Sequence, residues 1–437
     1  MYPTRLVASR SLATFSFYMF WVWATALLLA IWAARIAQRF GRRLYRYIHR
    51  PIEIEGDVYP RVVVIVPIKG VDDDTHANIQ ALLDQDYPEY RLIFTLESDE
   101  DPAVNLLEKM ATEDSRIEIV IAGLASERGQ KIHNQLAAAA RTNERDEVFA
   151  FMDADARPGT NWLRALVAPL TRDEIGATTG YRYYVPVTEH TANKIVSVLN
   201  AQVAALFGPY RRTHAWGGSM AIRRVDFYRW GLHSLWQHAL SDDYVLSYCV
   251  KSKAKSKIHF VAQCLVASEA NFNWASLFEF AVRQYRITKV CAPMVWFTAL
   301  GGATLYLTAF SYTLFNAIYL FFKPGMMFSQ EHIRQIAMFG ILYITSMIRG
   351  YLLVEGGERL LPEHRAVILS TRFWATVGMP WCFVINFMAL VGAGFGRTIV
   401  WRGIAYTMTS RTETIVQRPY TAPAILPHRS EVAEFDR

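Results

Sequence analysis

The sequence predicts an α/β domain with a mostly parallel sheet, held between membrane-spanning helices. Between residues 60 and 270, strand-like apolar runs alternate with helical runs, an order that is typical of doubly wound sheets. Uncharged runs flank this region on both sides, and 52% of the 437 residues are hydrophobic, a high value for a water-soluble enzyme. This length has room for one domain of about 250 residues and additional membrane elements.

Residues 11–34 carry no charge and are long enough to cross a bilayer core, which needs about 20 residues. The run is too long for a signal peptide. More arginines follow this run than precede it, so the positive-inside rule places the next domain in the cytoplasm. We interpret residues 1–50 as a transmembrane anchor with a basic segment that contacts anionic lipid rather than nucleic acid. The arginines of this segment are Arg35, Arg39, Arg42, Arg43, Arg46 and Arg50.

Four short apolar runs predict the strands of this sheet, and two runs between them predict helices. The first strand is rich in β-branched residues, as expected of a strand that is buried on both faces. In sheets of this kind, ligands bind beyond the carboxyl ends of the strands. The predicted strands are 61–67, 92–96, 117–121 and 148–152, and the predicted helices are 77–84 and 132–140.

Asp153 and Asp155 directly follow the strand predicted at 148–152. Two carboxylates at the carboxyl edge of a sheet repel each other unless a divalent cation neutralises them. Hard cations such as Mg²⁺ and Mn²⁺ take oxygen ligands and keep open positions for substrate phosphates. We therefore predict that this pair holds a metal and, through it, a nucleotide diphosphate. The alternative is an ordinary turn with two aspartates.

Other polar segments follow the same strand ends. Residues 67–70 follow the first strand, 97–101 follow the second, and 129–134 open a helix. Each segment alone is typical of a solvated loop or a helix cap. Their shared position at one sheet edge favours a binding site.

Further motifs lie closer to the C-terminal end. The glycine pair at 217–218 predicts either a hairpin turn or a close approach of the backbone to a ligand. Asp242 and Asp243 precede an apolar helix. Asp242 is placed to cap that helix, while a carboxylate there is also a candidate base for an attacking hydroxyl. Arg283 and Arg286 suit either bidentate phosphate contact or anchoring at the membrane surface.

In this order, the motifs resemble those of membrane-bound family 2-like inverting glycosyltransferases, most of all ceramide glucosyltransferases and their bacterial lipid-glycosylating relatives. The resemblance covers residues 61 to about 289, together with the leading anchor and the trailing spans. It implies a GT-A domain, a nucleotide-sugar donor such as UDP-glucose, a divalent metal (Mg²⁺ or Mn²⁺) and a membrane lipid acceptor. The matching segments are 67–72, 86–88, 101–103, 131–134, 242–244 and 283–286.

The resemblance also implies a role for each matching residue. Asp243, with Asp242 beside it, matches the general base, and Arg283 and Arg286 match the arginines that contact the diphosphate leaving group. The tryptophan of the family's last motif is replaced by Ile287, which removes a ring that would help to form the acceptor site. The donor-binding positions are Pro67, Lys69, Glu97, Lys131, Asp153 and Gly218, and the metal ligands are Asp153 and Asp155.

Three runs with little or no charge predict about three trailing membrane helices within 290–400. They follow the cytoplasmic catalytic domain, which we assign to 51–289, and precede a tail at 401–437. Three crossings would place the arginine-bearing tail outside, against the positive-inside tendency. Three solutions stay open: the first run turns back, one segment is re-entrant, or the tail is an exception.

These features predict a multi-pass integral membrane enzyme, expected in a bacterial inner membrane, with no nucleic-acid partner; its oligomeric state is not predicted. A processive polysaccharide synthase has the same domain but needs more spans and usually keeps the tryptophan. A polyprenyl-phosphate sugar transferase generally lacks the anchor and the Arg-x-x-Arg element, and a non-enzymatic scaffold has no need of the carboxylates. The four scattered cysteines predict neither a zinc site nor a disulfide framework.

Residues 193–210 are apolar at helical spacing. A core helix is one interpretation of this pattern. The other is an interfacial helix that lines the entry of a lipid acceptor, because such an acceptor must reach the base without crossing water.

Overall fold

The computed structural model describes residues 3–48, 59–208 and 213–417. Arg50, residues 51–58, the end of the apolar stretch at 209–210 and the tail beyond 417, on which some of our predictions fall, lie outside the described residues.

A seven-stranded mixed sheet forms the centre of the molecule, with strand order β3-β2-β1-β4-β6-β5-β7. Strands β1 to β4 run parallel to one another, and β6 is antiparallel to both of its neighbours. The α/β fold class is therefore confirmed. The strands are β1 (Val62–Pro67), β2 (Tyr90–Leu96), β3 (Ile117–Ile121), β4 (Val148–Met152), β5 (Ile175–Pro186), β6 (Ser219–Arg223) and β7 (Lys257–Ala270).

Helices cover both faces of this sheet. Strands β1 and β4 lie in its middle, and their β-branched and aromatic side chains are buried on both faces. One face packs against α2, α3 and α5, and the other packs against α4 and α7 to α9. The helices of this domain are α2 (Thr75–Leu83), α3 (Ala103–Glu113), α4 (Gln130–Ala139), α5 (Trp162–Val167), α6 (Thr191–Ala204), α7 (Arg224–Arg229), α8 (Leu232–Leu235), α9 (Asp242–Tyr248) and α10 (Trp274–Cys291).

Three helices are long and apolar enough to cross a membrane in the part of the chain that the structure describes. They are contained in α1 (Pro3–Ile48), α11 (Pro293–Phe322) and α12 (Gln330–Leu360). The Trp23 indole donates to the Met338 carbonyl at 2.9 Å. Gly41 and Gly356 let α1 and α12 approach closely, because a Cβ on Gly41 would lie 3.0 Å from the Gly356 Cα. The three membrane helices thus pack as one bundle.

The third trailing run is built differently from the other two. The short helices α13 (Arg365–Ser370) and α14 (Arg372–Ala375) lead into this run at 373–396, and most of the run forms α15 (Met379–Gly394). α15 is apolar but has only 16 residues, so it extends about 24 Å. The run at 293–322 is one continuous helix, and it does not turn back on itself.

Residues 398–417 form an antiparallel sheet that our assignment of 401–437 to a tail did not anticipate. Its strands are β8 (Thr398–Trp401), β9 (Ile404–Met408) and β10 (Thr414–Gln417). Ile399, Ile404 and Tyr406 pack against Leu240 and Ile287 of the catalytic domain. We call this element the C-terminal sheet. It is a structural part of the catalytic domain, because it buries side chains against it.

Candidate active site

A cavity of about 1720 Å³ lies beyond the carboxyl ends of β1, β2 and β4. This is the position that the parallel sheet predicts for a ligand. Almost all of the predicted site residues line this one cavity, although they are separated by more than 200 positions in the chain. They are Pro67, Lys69, Glu97, Lys131, Asp153, Asp155, Gly218, Asp242, Asp243 and Arg283.

Asp153 lies between two cations at the end of β4. Its carboxylate oxygens contact the Lys131 Nζ at 2.7 Å and the Arg182 Nη2 at 3.0 Å. Burial raises the pKa of Asp153, but the two cations outweigh it and hold the pKa below the usual range. Arg182 was not among the predicted residues. Its sequence signal is an arginine inside the otherwise uncharged strand β5.

Asp155 differs from Asp153 in that it faces the open cavity. Its side chain is 60% exposed, and the Arg182 guanidinium lies 3.6 Å from it. In the described residues, no group of three or more His, Cys, Asp or Glu side chains is arranged to hold a metal. Two carboxylates fit Mg²⁺ or Mn²⁺ nevertheless, because such ions take one or two protein carboxylates and complete their coordination with phosphates and water.

Lys131 joins the two carboxylate pairs across the cavity floor. Its Nζ lies 2.7 Å from Asp153 and 3.1 Å from Asp242, and it donates to the Gly217 carbonyl at 3.0 Å. The glycine pair exists for this approach, because a Cβ on Gly217 would lie 2.7 Å from an Asp242 oxygen, and one on Gly218 would lie 2.6 Å from an Asp153 oxygen. Gly217 and Gly218 also form a turn, which the Ser219 N–H closes by donating to the Trp216 carbonyl at 3.1 Å. The predicted approach of this backbone to a ligand stays a prediction.

Asp242 and Asp243 begin helix α9, but Ser241 caps it by accepting from the Tyr244 N–H. Asp242 is buried and accepts a hydrogen bond from Gln135 at 2.8 Å. Asp243 accepts from the Gly217 N–H at 3.3 Å and from the Ser241 hydroxyl. Burial and then the charge of Asp242 raise the pKa of Asp243 to about 6. The arrangement matches a base that ionises near neutral pH.

The opposite end of the cavity carries the loop that follows β1. The Lys69 ammonium is ion-paired with Glu97 at the end of β2. The Gly70 N–H donates to Asp101 at 2.9 Å, and Gly70 has a φ of +72°, which glycine adopts without strain. The two loops therefore form one wall, where the resemblance places the base of the nucleotide.

Arg283 and Arg286 do not share a role in the structure. Arg283 lines the cavity, and burial lowers its pKa. Arg286 is not among the residues that line it, and its guanidinium donates to the carbonyls of Thr398 at 2.6 Å and Gly392 at 3.5 Å. The expected contact of Arg286 with a diphosphate in the cavity is therefore not supported. Residues three apart on a helix lie only about 60° apart around its axis, so the difference comes from the carbonyls of the C-terminal segment, which hold the Arg286 guanidinium.

Trp401 and Arg402 line the cavity from the C-terminal sheet, and the sequence offered no signal for either. The Arg402 Nη1 donates to the Lys69 carbonyl at 3.0 Å. Trp401 packs against the same cluster as Ile287. An aromatic ring thus lies beside the position where the family's tryptophan is missing.

The cavity continues as an apolar branch away from the carboxylates. Trp32, Ile36 and Phe40 of membrane helix α1 line it, together with Leu199 and Val203 of α6. The other face of α6 packs into the core with α12 and α15. The core-helix interpretation therefore holds for that face, while the opposite face lines the cavity, and its role in the entry of a lipid stays a prediction.

Two solved structures are similar to this chain. One is the mannosyltransferase PcManGT from Pyrobaculum calidifontis, in complex with GDP-Man and Mn²⁺; the match has 15% identity and a TM-score of 0.44, and covers 85% of this chain and 97% of that one. The other is GalNAc-T7 with UDP, GalNAc and Mn²⁺, with 16% identity and a TM-score of 0.38 over 50% of this chain and 45% of that one.

A curated relative is the ceramide glucosyltransferase of Komagataella phaffii, which is 31% identical over 91 residues. This match spans 20% of the present chain and 16% of the length of that relative. The model of glycosyl transferase family 21 matches residues 21–414, which include the anchor, the sheet, the trailing helices and most of the C-terminal sheet. The resemblance read from the motifs is confirmed, and the chain belongs to glycosyl transferase family 21.

Proposed function

We propose that this protein is an inverting glycosyltransferase that moves a sugar from a nucleotide-diphosphate sugar, such as UDP-glucose, to a hydroxyl of a membrane lipid, such as ceramide. One observation carries the proposal: a single cavity holds both carboxylate pairs and extends as an apolar branch to Trp32, Ile36 and Phe40 of α1. A polar donor and an apolar acceptor can therefore occupy the two ends of one site.

Asp243 acts as the general base in this proposal. It takes the proton of the acceptor hydroxyl, whose oxygen bonds to the anomeric carbon, while the bond from that carbon to the diphosphate breaks and its electron pair leaves with the nucleoside diphosphate. Attack opposite to the leaving group inverts the anomeric centre. The raised pKa of Asp243 favours this role, because a base near pH 7 accepts a proton more readily than an ordinary aspartate.

The donor occupies the polar end of the cavity. Pro67, Lys69 and Glu97 bind the nucleoside, and Lys131 and Gly218 keep Asp153 in place. Asp153 and Asp155 would hold Mg²⁺ or Mn²⁺, which supplies positive charge to the diphosphate as the bond breaks. Support for this placement comes from the exposed Asp155 and from the glycines, which leave room above Asp153.

The acceptor enters from the bilayer along the apolar branch. A processive synthase would pass a hydrophilic polymer through this space, for which a lining of Trp32, Ile36, Phe40, Leu199 and Val203 is unsuited. The family match also favours lipid glycosylation over a polysaccharide or a polyprenyl phosphate as product.

We further propose that the catalytic domain lies in the cytoplasm and that α15 does not cross the membrane. The C-terminal sheet packs on the catalytic domain, so the two lie on one side of the membrane. α11 crosses the membrane away from the cytoplasm, and α12 crosses it back. α15 extends about 24 Å, less than the hydrocarbon core of about 30 Å. Of the three alternatives left open by the sequence, this arrangement is nearest to the one with a re-entrant segment. It places the arginines that follow α15 on the cytoplasmic side, as the positive-inside rule favours.

The test is an assay of the purified full-length protein against a panel of nucleotide sugars, with total membrane lipid as acceptor. We expect one donor to be consumed and one lipid to gain the mass of a single hexose, detected by mass spectrometry. A polymer product, a polyprenyl-phosphate product or no transfer from any donor would each refute the proposal.

A further inference from the structure

The arginine pair on α10 is expected to bind the leaving group, yet Arg286 is committed to the backbone of the C-terminal segment. It donates to the Thr398 and Gly392 carbonyls, and Lys289 donates to the Gly394 and Gly396 carbonyls at 2.9 and 2.7 Å. These bonds fix the chain between the end of α15 and the start of β8. Arg286 therefore sets the position of the C-terminal sheet.

The C-terminal sheet contacts three loops of the active site. Arg402 donates to the Lys69 carbonyl, and the Gln130 N–H at the start of α4 lies 3.4 Å from the Tyr406 hydroxyl. Ile399 and Ile404 pack against Leu240, which precedes the aspartates of α9. The sheet thus touches the donor loop, the start of the helix that carries Lys131 and the loop that precedes the helix of the base.

Arg402 is at the tip of the β8–β9 hairpin, inside the cavity lining. Arg402 and Gly403 have φ values of +49° and +76°, the geometry of a tight two-residue turn. A non-glycine residue in this region is uncommon and costs conformational energy, and such residues cluster at ligand sites. Asparagine or glycine would suit the turn better, so the arginine is present for another reason.

Arg402 also differs from three of the other cations that line the cavity. Lys69, Lys131 and Arg182 are each paired with a carboxylate. Within the described residues, Arg402 has no such ion pair, and its guanidinium is held only by the Lys69 carbonyl. It is exposed to the cavity, so its remaining N–H groups are available to an anion.

We propose that Arg402 contacts the diphosphate of the donor and that Arg286 acts on the reaction only by positioning the C-terminal sheet. This inference rests on the proposed function. A guanidinium binds phosphate oxygens through two parallel N–H bonds and stays protonated throughout. As the bond from the anomeric carbon breaks, the electron pair moves to the diphosphate oxygen, and Arg402 stabilises that charge without transferring a proton.

The experiment compares the affinity of the full-length protein for UDP and for uridine, in Mg²⁺, by isothermal titration calorimetry. Both probes contain the same nucleoside, so the ratio of the UDP affinity to the uridine affinity reports on the contribution of the diphosphate alone. In Arg402→Ala we expect UDP to bind about tenfold or more weakly, since a charge-assisted hydrogen bond is lost, and uridine to bind as before. Arg402→Lys should recover part of the loss. The control is Arg397→Ala, an exposed arginine of the same segment that donates to Thr409 instead.

A double-mutant cycle tests the role of Arg286. If Arg286 acts through Arg402, then Arg286→Ala weakens UDP binding, and adding Arg402→Ala weakens it no further. Additive losses would show that Arg286 contacts the diphosphate itself and would overturn its positioning role. An unchanged ratio of UDP to uridine affinity in Arg402→Ala would overturn the role of Arg402, while a wild-type protein that binds neither probe would overturn the proposed function instead.

Discussion

At the scale of single residues, the neighbours of a carboxylate determine its chemistry. Asp153 is fully engaged by Lys131 and Arg182 and stays ionised. Among the described residues, Asp243 has hydrogen-bond donors but no direct ion pair, and its pKa rises to about 6. Asp153 is thus suited to a binding role that needs a permanent charge, and Asp243 is suited to proton transfer, although their side chains are identical.

We predict that Asp243→Asn lowers the turnover number by roughly 10² to 10⁴-fold, because the amide cannot accept the proton of the acceptor. UDP affinity should change little, since the donor lies at the other carboxylate pair. Asp173→Asn, which changes an exposed aspartate outside the cavity, serves as the control. Undiminished turnover in Asp243→Asn would refute the assignment of the base.

The rate should also depend on pH through Asp243. The groups that face it are Asp242 on the same helix, Lys131 on α4 and Cys291 on α10. Because the base must be ionised and its pKa is raised to about 6, kcat/KM should be maintained above that pH and fall as the pH drops through it. A profile of kcat/KM from pH 5 to 8 checks this. A value of kcat/KM that stays level down to pH 5, as an ordinary aspartate pKa of about 4 would give, would contradict it.

Removal of the divalent metal should abolish transfer, because Asp153 and Asp155 would then face the diphosphate without the charge that neutralises both. We expect activity to disappear in excess chelator and to return with Mn²⁺ or Mg²⁺. Asp155→Asn should weaken Mn²⁺ binding in the presence of UDP, measured by electron paramagnetic resonance. Full activity in excess chelator would show that the aspartates have another role.

At the scale of elements, α6 and the residues that follow it separate the core from the acceptor route. Ile195 and Val198 are buried, whereas Leu206 is 56% exposed and lines the cavity. Phe207 is half-buried, and its ring packs on Tyr181 with the ring centroids 4.2 Å apart. One segment thus contributes to stability on one side and to the cavity on the other.

We predict that Leu206→Ser reduces transfer to lipid but leaves the thermal unfolding midpoint and the slow hydrolysis of the donor nearly unchanged. Val198→Ser, the matched change on the buried face, should instead lower the unfolding midpoint, because it places a hydroxyl in the core. Equal destabilisation by the two substitutions would mean that both faces of this segment belong to the core.

At the scale of the whole molecule, the C-terminal sheet determines the topology. In the proposed topology, its packing on the catalytic domain requires an even number of crossings between residues 291 and 398, and α11 and α12 are the candidates for these two. We propose that the short helix α15 completes the path back to the active site without a third crossing.

Site-directed labelling in sealed vesicles tests this arrangement. The four native cysteines are buried, so an impermeant thiol reagent should report on introduced cysteines. We expect Glu413→Cys in the C-terminal sheet to be labelled from the same side as Asp173→Cys in the catalytic domain. Met327→Cys, between α11 and α12, should be labelled from the opposite side. Labelling of positions 413 and 327 from one side would contradict the proposed topology.

Local sequence patterns were sufficient to predict the first four strands, the carboxylates of the cavity and the family. Strand β1 and the other parallel strands were predicted within a residue or two, because a strand that is buried on both faces must be apolar along its length. Asp153, Asp155, Asp242 and Asp243 were found because strand ends and helix starts are marked in the sequence itself. The order of these motifs was enough to indicate the family.

Contacts between distant segments were decided only by the tertiary structure. Arg182 is marked in the sequence only as the charged residue of strand β5, and nothing near Arg402 marks it as a cavity residue. Arg182 reaches the cavity through the pairing of β5, and Arg402 reaches it through a sheet more than 200 positions away. The same packing turns Arg286 away from the cavity and towards Thr398. The sequence by itself determined the α/β class, the membrane character and the carboxylates, because these depend on local periodicity and polarity. Which cations meet those carboxylates, and where the C-terminal sheet packs, depends on three-dimensional packing.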